Sequence, residues 1–451
     1  MSKIIRVFLK RIDRIVQTFC LKRRELHTIL FIITVNFLYF LIVFLSYFLI
    51  LDGRWAFYGN PLAWLAEWID YNTILRKAVS NQFTSLRFPI LGSLYLYLVG
   101  RAALISSTLV SSVLLRPIFY LYMGLFNVLF EIITVILTMR LVSRYFGQIY
   151  ASNITFIFIL LPIVWWTTIC RWDLLPLALT VCTIYFAVEN KAWYAWSSLT
   201  IAVLAKLYPI IFAIPLLFYY FEKNGAKKTL IYVSSMIIVT VLIYIPFYLI
   251  YGWNIFNGVS QNIIVNASRS SIWYWISILC GEKEKALLFS VSGYIQAAVI
   301  FSYVLLDYFH ERNQENPLTV DKALLKRCSI VILLFLVTFK FSKPQGIMYG
   351  LPLVIFFSNS FKKFFYFLIW LITLHVVAYP RIMIYAYLRV KPSLTIYILI
   401  GIAFLTLYTA VVALILFNKN LFENDIQILS ERDFIIELHN YVKKIKKFLM
   451  K

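Results

Sequence analysis

ILFIITVNFLYFLIVFLSYFLIL, residues 29–51, decides the fold class. It is continuous rather than alternating, carries no charge, and exceeds the ~18 apolar residues that mark a helix able to cross a bilayer. Similar runs recur along the 451-residue chain, which is 62% hydrophobic and only 14% charged, against roughly a quarter charged in soluble domains. Mean hydropathy is +0.82. The expectation is an all-α, polytopic transmembrane bundle of about 11–13 spans. A β-barrel would need alternating apolar and polar positions, and these runs have none.

From apolar length and loop charge, spans are expected near residues 28–51, 117–139, 149–169, 174–188, 193–205, 209–221, 230–251, 286–309, 328–340, 347–357, 361–379 and 394–417. Residues 1–27 read as a cytoplasmic basic amphipathic helix. Ile5, Phe8, Leu9, Ile12, Ile15, Val16 and Phe19 alternate there with Lys3, Arg6, Lys10, Arg11 and Arg14, a pattern that lies flat on an anionic leaflet. The tail, 418–451, repeats it with Phe434, Leu438, Val442, Ile445 and Leu449 among lysines. Both ends are therefore expected in the cytoplasm. The first span lacks a small-residue cleavage site after it and reads as a retained anchor.

A long first outer loop, 52–116, contains FPILGSLYLYLVG, residues 88–100. About 13 apolar residues suit an interfacial or re-entrant helix better than a crossing. Parity agrees: without a crossing there, Arg140, Arg144, Lys191, Lys223, Lys227, Lys228, Lys326, Arg327, Lys362 and Lys363 all fall inside, as the positive-inside bias requires. The net charge of +23 then reads mainly as retention of cytoplasmic loops and attraction to anionic lipid. The outer loops nevertheless stay more basic than the bias predicts. Nucleic acid is a poor partner for a chain with no soluble domain. The five cysteines show no CxxC spacing, so no zinc or thioredoxin-type site is expected, and no metal ligands or cofactor are assigned.

CRWD, residues 170–173, places Arg171 and Asp173 between two apolar runs, where each charge costs about 2.5–3.5 kcal/mol at a bilayer centre. Such residues belong at a boundary, in a watery cavity or against a ligand. Lys206, in LAKLYPIIFAIPLL, ends one span on the same outer side. Tyr208-Pro209 starts the return, where proline suits the first helical turn. Lys343 and Gln345, in KPQGIMYGLP, sit at a third outer turn, Arg269 in a fourth, and Asp52 and Asp70 in the first. Cations with one or two carboxylates at one face suit a phosphate-bearing amphiphile, the cations pairing with phosphate oxygens and a carboxylate serving as base. The bland alternatives are snorkelling for each cation, capping or neutralisation of Arg171 for Asp173, and pairing inside the bundle for Glu131.

Taken in order, these segments resemble the GT-C type glycosyltransferases that use polyprenol-phosphate sugars. The nearest branch is the mannosyltransferases similar to the first mannosyltransferase of GPI-anchor synthesis and its prokaryotic relatives. LAKLYP resembles that family's K-x-Y-P segment at Lys206, Tyr208 and Pro209. KPQGIMYGLP resembles its S-P-Q-Y-x-x-W-x-x-P segment at Pro344, Gln345 and Pro352, with Tyr349 in the tryptophan place. CRWD occupies an R-G-N or R-N-G-Q position with Arg171 retained, and FPILGSLYL resembles the Y-P-P-L run at Pro89. The chain departs in having no D-x-D, in Lys343 for serine and in Gly346 for tyrosine.

The resemblance implies an inverting hexosyltransferase, mannose being the expected sugar, acting on a lipid-linked or glycan acceptor at the exoplasmic face. Asp52 or Asp70 would be the catalytic base. Lys206, Arg171, Arg269 and Lys343 would bind the donor phosphate, and Tyr208, Gln345 and Asp173 would position substrate. The membrane would be the plasma membrane of a prokaryote or the endoplasmic reticulum of a eukaryote. A lipid-linked sugar flippase or transporter and a non-catalytic membrane scaffold remain the competing readings.

Overall fold

A helix surrounded by hydrocarbon must satisfy its backbone polar groups internally and turn apolar side chains outward. The computed structural model shows this arrangement. It describes residues 24–41, 88–111, 115–161, 164, 167–169, 171–256, 271–278, 280–314, 317–338, 349–350 and 352–353. Those residues form helices and turns, and five of the helices are long and apolar enough to cross a membrane. Both amphipathic ends, the spans expected from 361 onward, and Asp52, Asp70, Arg269, Lys343 and Gln345 lie outside the described residues.

The helices are α1 (Arg24–Leu41), α2 (Ile90–Val110), α3 (Leu115–Phe146), α4 (Gln148–Leu160), α5 (Leu174–Val188), α6 (Ala192–Ala205), α7 (Ala213–Tyr251), α8 (Ile272–Ile278), α9 (Glu282–Arg312) and α10 (Val320–Thr338). A short 3-10 turn, Tyr208–Phe212, joins α6 to α7. Helix α5 is central, touching α3 and α6. Leu174, Leu177, Val181, Ile184 and Val188 line one stripe of it, yet Pro176, Ala178, Thr180 and Thr183 are buried as well. A helix hidden on most sides must bond its own hydroxyls. Thr180 donates to the Pro176 carbonyl at 2.7 Å and Thr183 to the Leu179 carbonyl at 2.9 Å. Pro176 is tolerated because it lies in the first turn, where its missing N–H has no intrahelical acceptor. The helix ends in a tight turn at Asn190, whose φ of 60° suits asparagine.

The peripheral helices show the opposite surface. Leu230, Ile231, Ile237, Ile238, Leu242 and Leu249 of α7, and Leu287 and Leu306 of α9, are exposed, as lipid-facing positions would be.

Ion pairs fix which helix ends lie together. Arg140 of α3 forms a two-pronged bond with Glu25 of α1, at 2.7 and 2.9 Å. Arg144 pairs with Glu189, just past α5, at 2.9 Å. Lys223 pairs with Asp321 at 3.1 Å. Lys326 reaches Asp307 at 2.8 Å and Glu311 at 2.6 Å, and Arg327 reaches Asp307 at 2.8 Å. The start of α1, the ends of α3, α5 and α9, and the start of α10 therefore share one end of the bundle, the Arg140 end. Asp173 and Lys206, at the other termini of α5 and α6, mark the Lys206 end.

Two expectations need correction. The run at 88–100 is only the first half of α2, which continues through Arg101 for 21 residues, long and apolar enough to cross a membrane. A single arginine among alanines and leucines does not stop a helix, because its propensity is close to theirs. Described contacts of α2 lie toward the Lys206 end: Tyr95 against Phe126 and Phe130, the Ser106 hydroxyl 2.7 Å from that of Tyr122, and Gly92 on Ala205. Residues 209–221 and 230–251 are separate helical segments, as expected: α7 breaks at Gly225, and Tyr220 and Tyr232 on either side of the break pack with ring centres 5.5 Å apart. The break has φ 78° and ψ 168°, a backbone glycine tolerates. The span expected at 149–169 is broken: α4 ends at Leu160 and a separate helical turn follows at 167–169.

Candidate functional site

Two truncated helices present the site. Helix α5 has 15 residues and α6 has 14, so each spans only ~22 Å. Both stop at the Lys206 end, while α3 continues there for a further three turns beyond Asn127. Asn127 fixes the level by donating its amide to the Thr168 carbonyl at 2.8 Å and to the Arg171 carbonyl.

At the α6 terminus the backbone turns extended at Lys206 (φ −154°, ψ 141°), while its N–H still donates to the Ala202 carbonyl. The side chain thus leaves the helix end and runs toward α5. Asp173 occupies the first position before α5 but makes no side-chain cap. Its carboxylate instead holds the Lys206 ammonium in an ion pair and accepts the Tyr349 hydroxyl at 2.8 Å. Lys206 also lies 2.5 Å from the Tyr349 oxygen. The ammonium is 4.8 Å from the Trp172 ring centre and 5.0 Å from that of Tyr349, within cation–π range. The Tyr208 ring stacks on Tyr349, centres 4.0 Å apart and planes 13° from parallel.

Burial makes this set consequential. The Asp173 side chain is 2% exposed and that of Lys206 23%. Trp172, Arg171 and Tyr208 are buried beside them. A carboxylate so enclosed is stable only when its charge is matched and its lone pairs are used. Lys206 and Tyr349 do both. Arg171, a second cation, is buried two positions before Asp173.

Two supports hold the site in place. A Cβ added at Gly92 would lie 2.2 Å from the Ala205 carbonyl oxygen and 3.1 Å from the Trp172 ring. Glycine is therefore what lets α2 close on the residue before Lys206. Phe88 meets Trp172 edge-on at 4.6 Å. On the other side, Gly350 and Leu353 rest on α10, Ser329 donating to the Leu353 carbonyl at 2.9 Å.

Of the residues singled out from sequence, the structure brings together Lys206, Asp173 and, through Tyr349, Tyr208, with Arg171 buried two positions before Asp173. Asp173 pairs with Lys206 rather than serving as a cap. Trp172 and Tyr349 were not singled out as binding residues. The signal for Tyr349 was its place in the P-Q segment, and for Trp172 only its position inside CRWD. Glu131 does pair within the bundle, accepting from Asn36 at 2.9 Å and from Thr168 at 2.7 Å.

Comparison with protein-family models, with curated protein sequences and with solved structures returns no match.

Proposed function

We propose that the protein is a membrane glycosyltransferase that moves a sugar, mannose by resemblance, from a polyprenyl-phosphate donor to a lipid-linked or glycan acceptor on the exoplasmic face. The observation that carries this reading is the convergence of Lys206 and Tyr208, Asp173 and Tyr349. They come from three separate segments whose order resembles that family's motifs, and they meet around one partly buried ammonium group.

The depth of the cluster supports a lipid-borne substrate. With the Glu189 end of α5 at one boundary of a hydrocarbon layer ~30 Å thick, a ~22 Å helix leaves Asp173 and Lys206 several ångströms short of the other. A phosphate tethered to an isoprenoid can descend to that level with its chain in the lipid. The apolar outer surfaces of α7 and α9 suit such a chain.

In the mechanism, Asp52 or Asp70 takes the proton from an acceptor hydroxyl. The acceptor oxygen forms its bond to the anomeric carbon from the face opposite the donor phosphate, and the bond from that carbon to the phosphate oxygen breaks. Its electron pair leaves on the polyprenyl phosphate. Lys206 and Arg171 meet the charge gathering there, helped by Arg269 and Lys343. Fixed cations in a site poor in water stabilise such charge without reorganising, often the largest catalytic contribution. Asp173 and Tyr349 hold the ammonium in place before the donor arrives, while Tyr208 and Gln345 position the substrate.

The test is a membrane assay with labelled polyprenyl-phosphate mannose and, separately, polyprenyl-phosphate glucose, scoring which molecule becomes labelled. Transfer from one donor to a lipid or glycan is the expected result. Failure of both to label anything, with folded protein present, contradicts the reading.

A further inference from the structure

Glu131 lies midway along α3 and is fully buried, as are Asn36 of α1, Asn127 of α3 and Thr168 of the turn before Arg171. Their hydrogen bonds form a chain across three segments. The Asn36 amide nitrogen donates to the Ile32 carbonyl at 3.0 Å and to Glu131 Oε2 at 2.9 Å. The Thr168 hydroxyl lies 2.7 Å from the same Oε2 and 2.9 Å from the Val164 carbonyl. Asn127, one helical turn before Glu131, donates to the carbonyls of Thr168 and Arg171.

What is left over in this set is lopsided. Glu131 Oε1, Asn36 Oδ1 and Asn127 Oδ1 are buried acceptors with no hydrogen-bond partner among the described residues. Buried polar atoms in folded proteins nearly always find partners, and an unmatched carboxylate in hydrocarbon is costly. Two of these three atoms belong to groups already joined. Asn36 Nδ2–H to Glu131 Oε2 is one half of a cyclic acid–amide pair. The other half would run from a proton on Oε1 to Asn36 Oδ1, and those are the two atoms left over.

We propose that Glu131 is a neutral, protonated acid in a closed pair with Asn36, and that it acts as a positioning residue for the turn carrying Arg171, Trp172 and Asp173. The proton sits on Oε1 and is donated to Asn36 Oδ1. Oε2 remains the acceptor for Asn36 and Thr168, so no net charge is buried. Through Thr168 the pair ties α1 and α3 to the residues just before Arg171, and Asn127 ties α3 to the Arg171 carbonyl itself. The positioning role rests on the function proposed above. The protonation state does not.

Glutamine reproduces every bond of the neutral acid: its NH2 donates to Asn36 Oδ1 and its carbonyl oxygen accepts from Asn36 and Thr168. Alanine reproduces none. The experiment compares wild-type protein, Glu131→Gln and Glu131→Ala in membranes, by infrared spectroscopy in the carbonyl-stretch region of protonated carboxyl groups and by transfer from labelled polyprenyl-phosphate sugar. A protonated-acid band in wild type that disappears in Glu131→Gln is expected. Transfer should stay at the wild-type rate in Glu131→Gln and fall about 100-fold in Glu131→Ala, the scale of a misplaced catalytic group. Absence of the band overturns the inference, as does a loss in Glu131→Gln equal to that in Glu131→Ala, since either result makes the group an anion. If the band behaves as stated but wild-type protein transfers nothing, the pair stands and the proposed function falls.

Discussion

The two ends of the bundle use charge in different ways. At the Arg140 end, pairs join α1 to α3, α3 to the end of α5, α7 to α10, and α9 to α10. Acids there answer bases: Lys326 and Arg327 face Asp307 and Glu311, two against two. At the Lys206 end the Lys206–Asp173 pair is boxed by Trp172 and Tyr349, with Arg171 buried nearby. Balanced pairs fasten helices to one another. The Lys206 pair is instead enclosed by aromatic rings, where the proposed function puts the donor phosphate. The comparison teaches that the two sets should separate under mutation: ligand binding should follow the second alone, whereas loss of a buried pair at either end costs stability.

The largest effect is expected at the seam between these behaviours. Lys206→Ala leaves the Asp173 carboxylate enclosed without its cation, and breaking a buried pair costs about 3–5 kcal/mol. Thermal unfolding in detergent should show a clear loss. The double variant Lys206→Met with Asp173→Leu should recover much of that stability but none of the donor binding. Recovery of both would dissolve the distinction between the ends.

Arg327→Ala comes next. Its guanidinium is buried against Asp307 and over the Tyr308 ring, so stability should fall by a few kcal/mol, softened because Lys326 still reaches Asp307. Donor binding per folded molecule should stay at the wild-type level. Gly92→Ala is smaller. The added methyl meets the Ala205 carbonyl, and overpacking of this kind costs about 1–3 kcal/mol. Because the displaced backbone adjoins Lys206, binding should weaken as well, which sets this variant apart from Arg327→Ala. Arg144→Ala should do least. Its pair with Glu189 is half exposed, and such pairs are worth about 1 kcal/mol or less.

These contrasts also show what could be read before any coordinates. The helical nature of the bundle was legible because apolar length is a local property, and the bounds read for residues 174–188 coincide with α5. Breaks were less legible. The charged stretch EKNGAKK separates two apolar runs and the break does fall there, at Gly225, whereas the break after Leu160 lies inside a run that reads as one span. Partnership was not legible at all. Asp173 stands beside Arg171 in sequence but pairs with Lys206, 33 residues on, and Tyr349 joins them from a further 143. Glu131 meets Asn36 across 95 residues. Helix packing decides such pairings, and no spacing rule within one segment encodes them.

The most direct test of the central claim is the binding of polyprenyl phosphate to purified wild-type protein, Lys206→Ala and Arg144→Ala under one set of conditions. The account expects wild type and Arg144→Ala to bind alike and Lys206→Ala to bind at least tenfold more weakly, about 1.4 kcal/mol. Equal binding by all three would contradict it, leaving Lys206 a structural partner of Asp173 and nothing more.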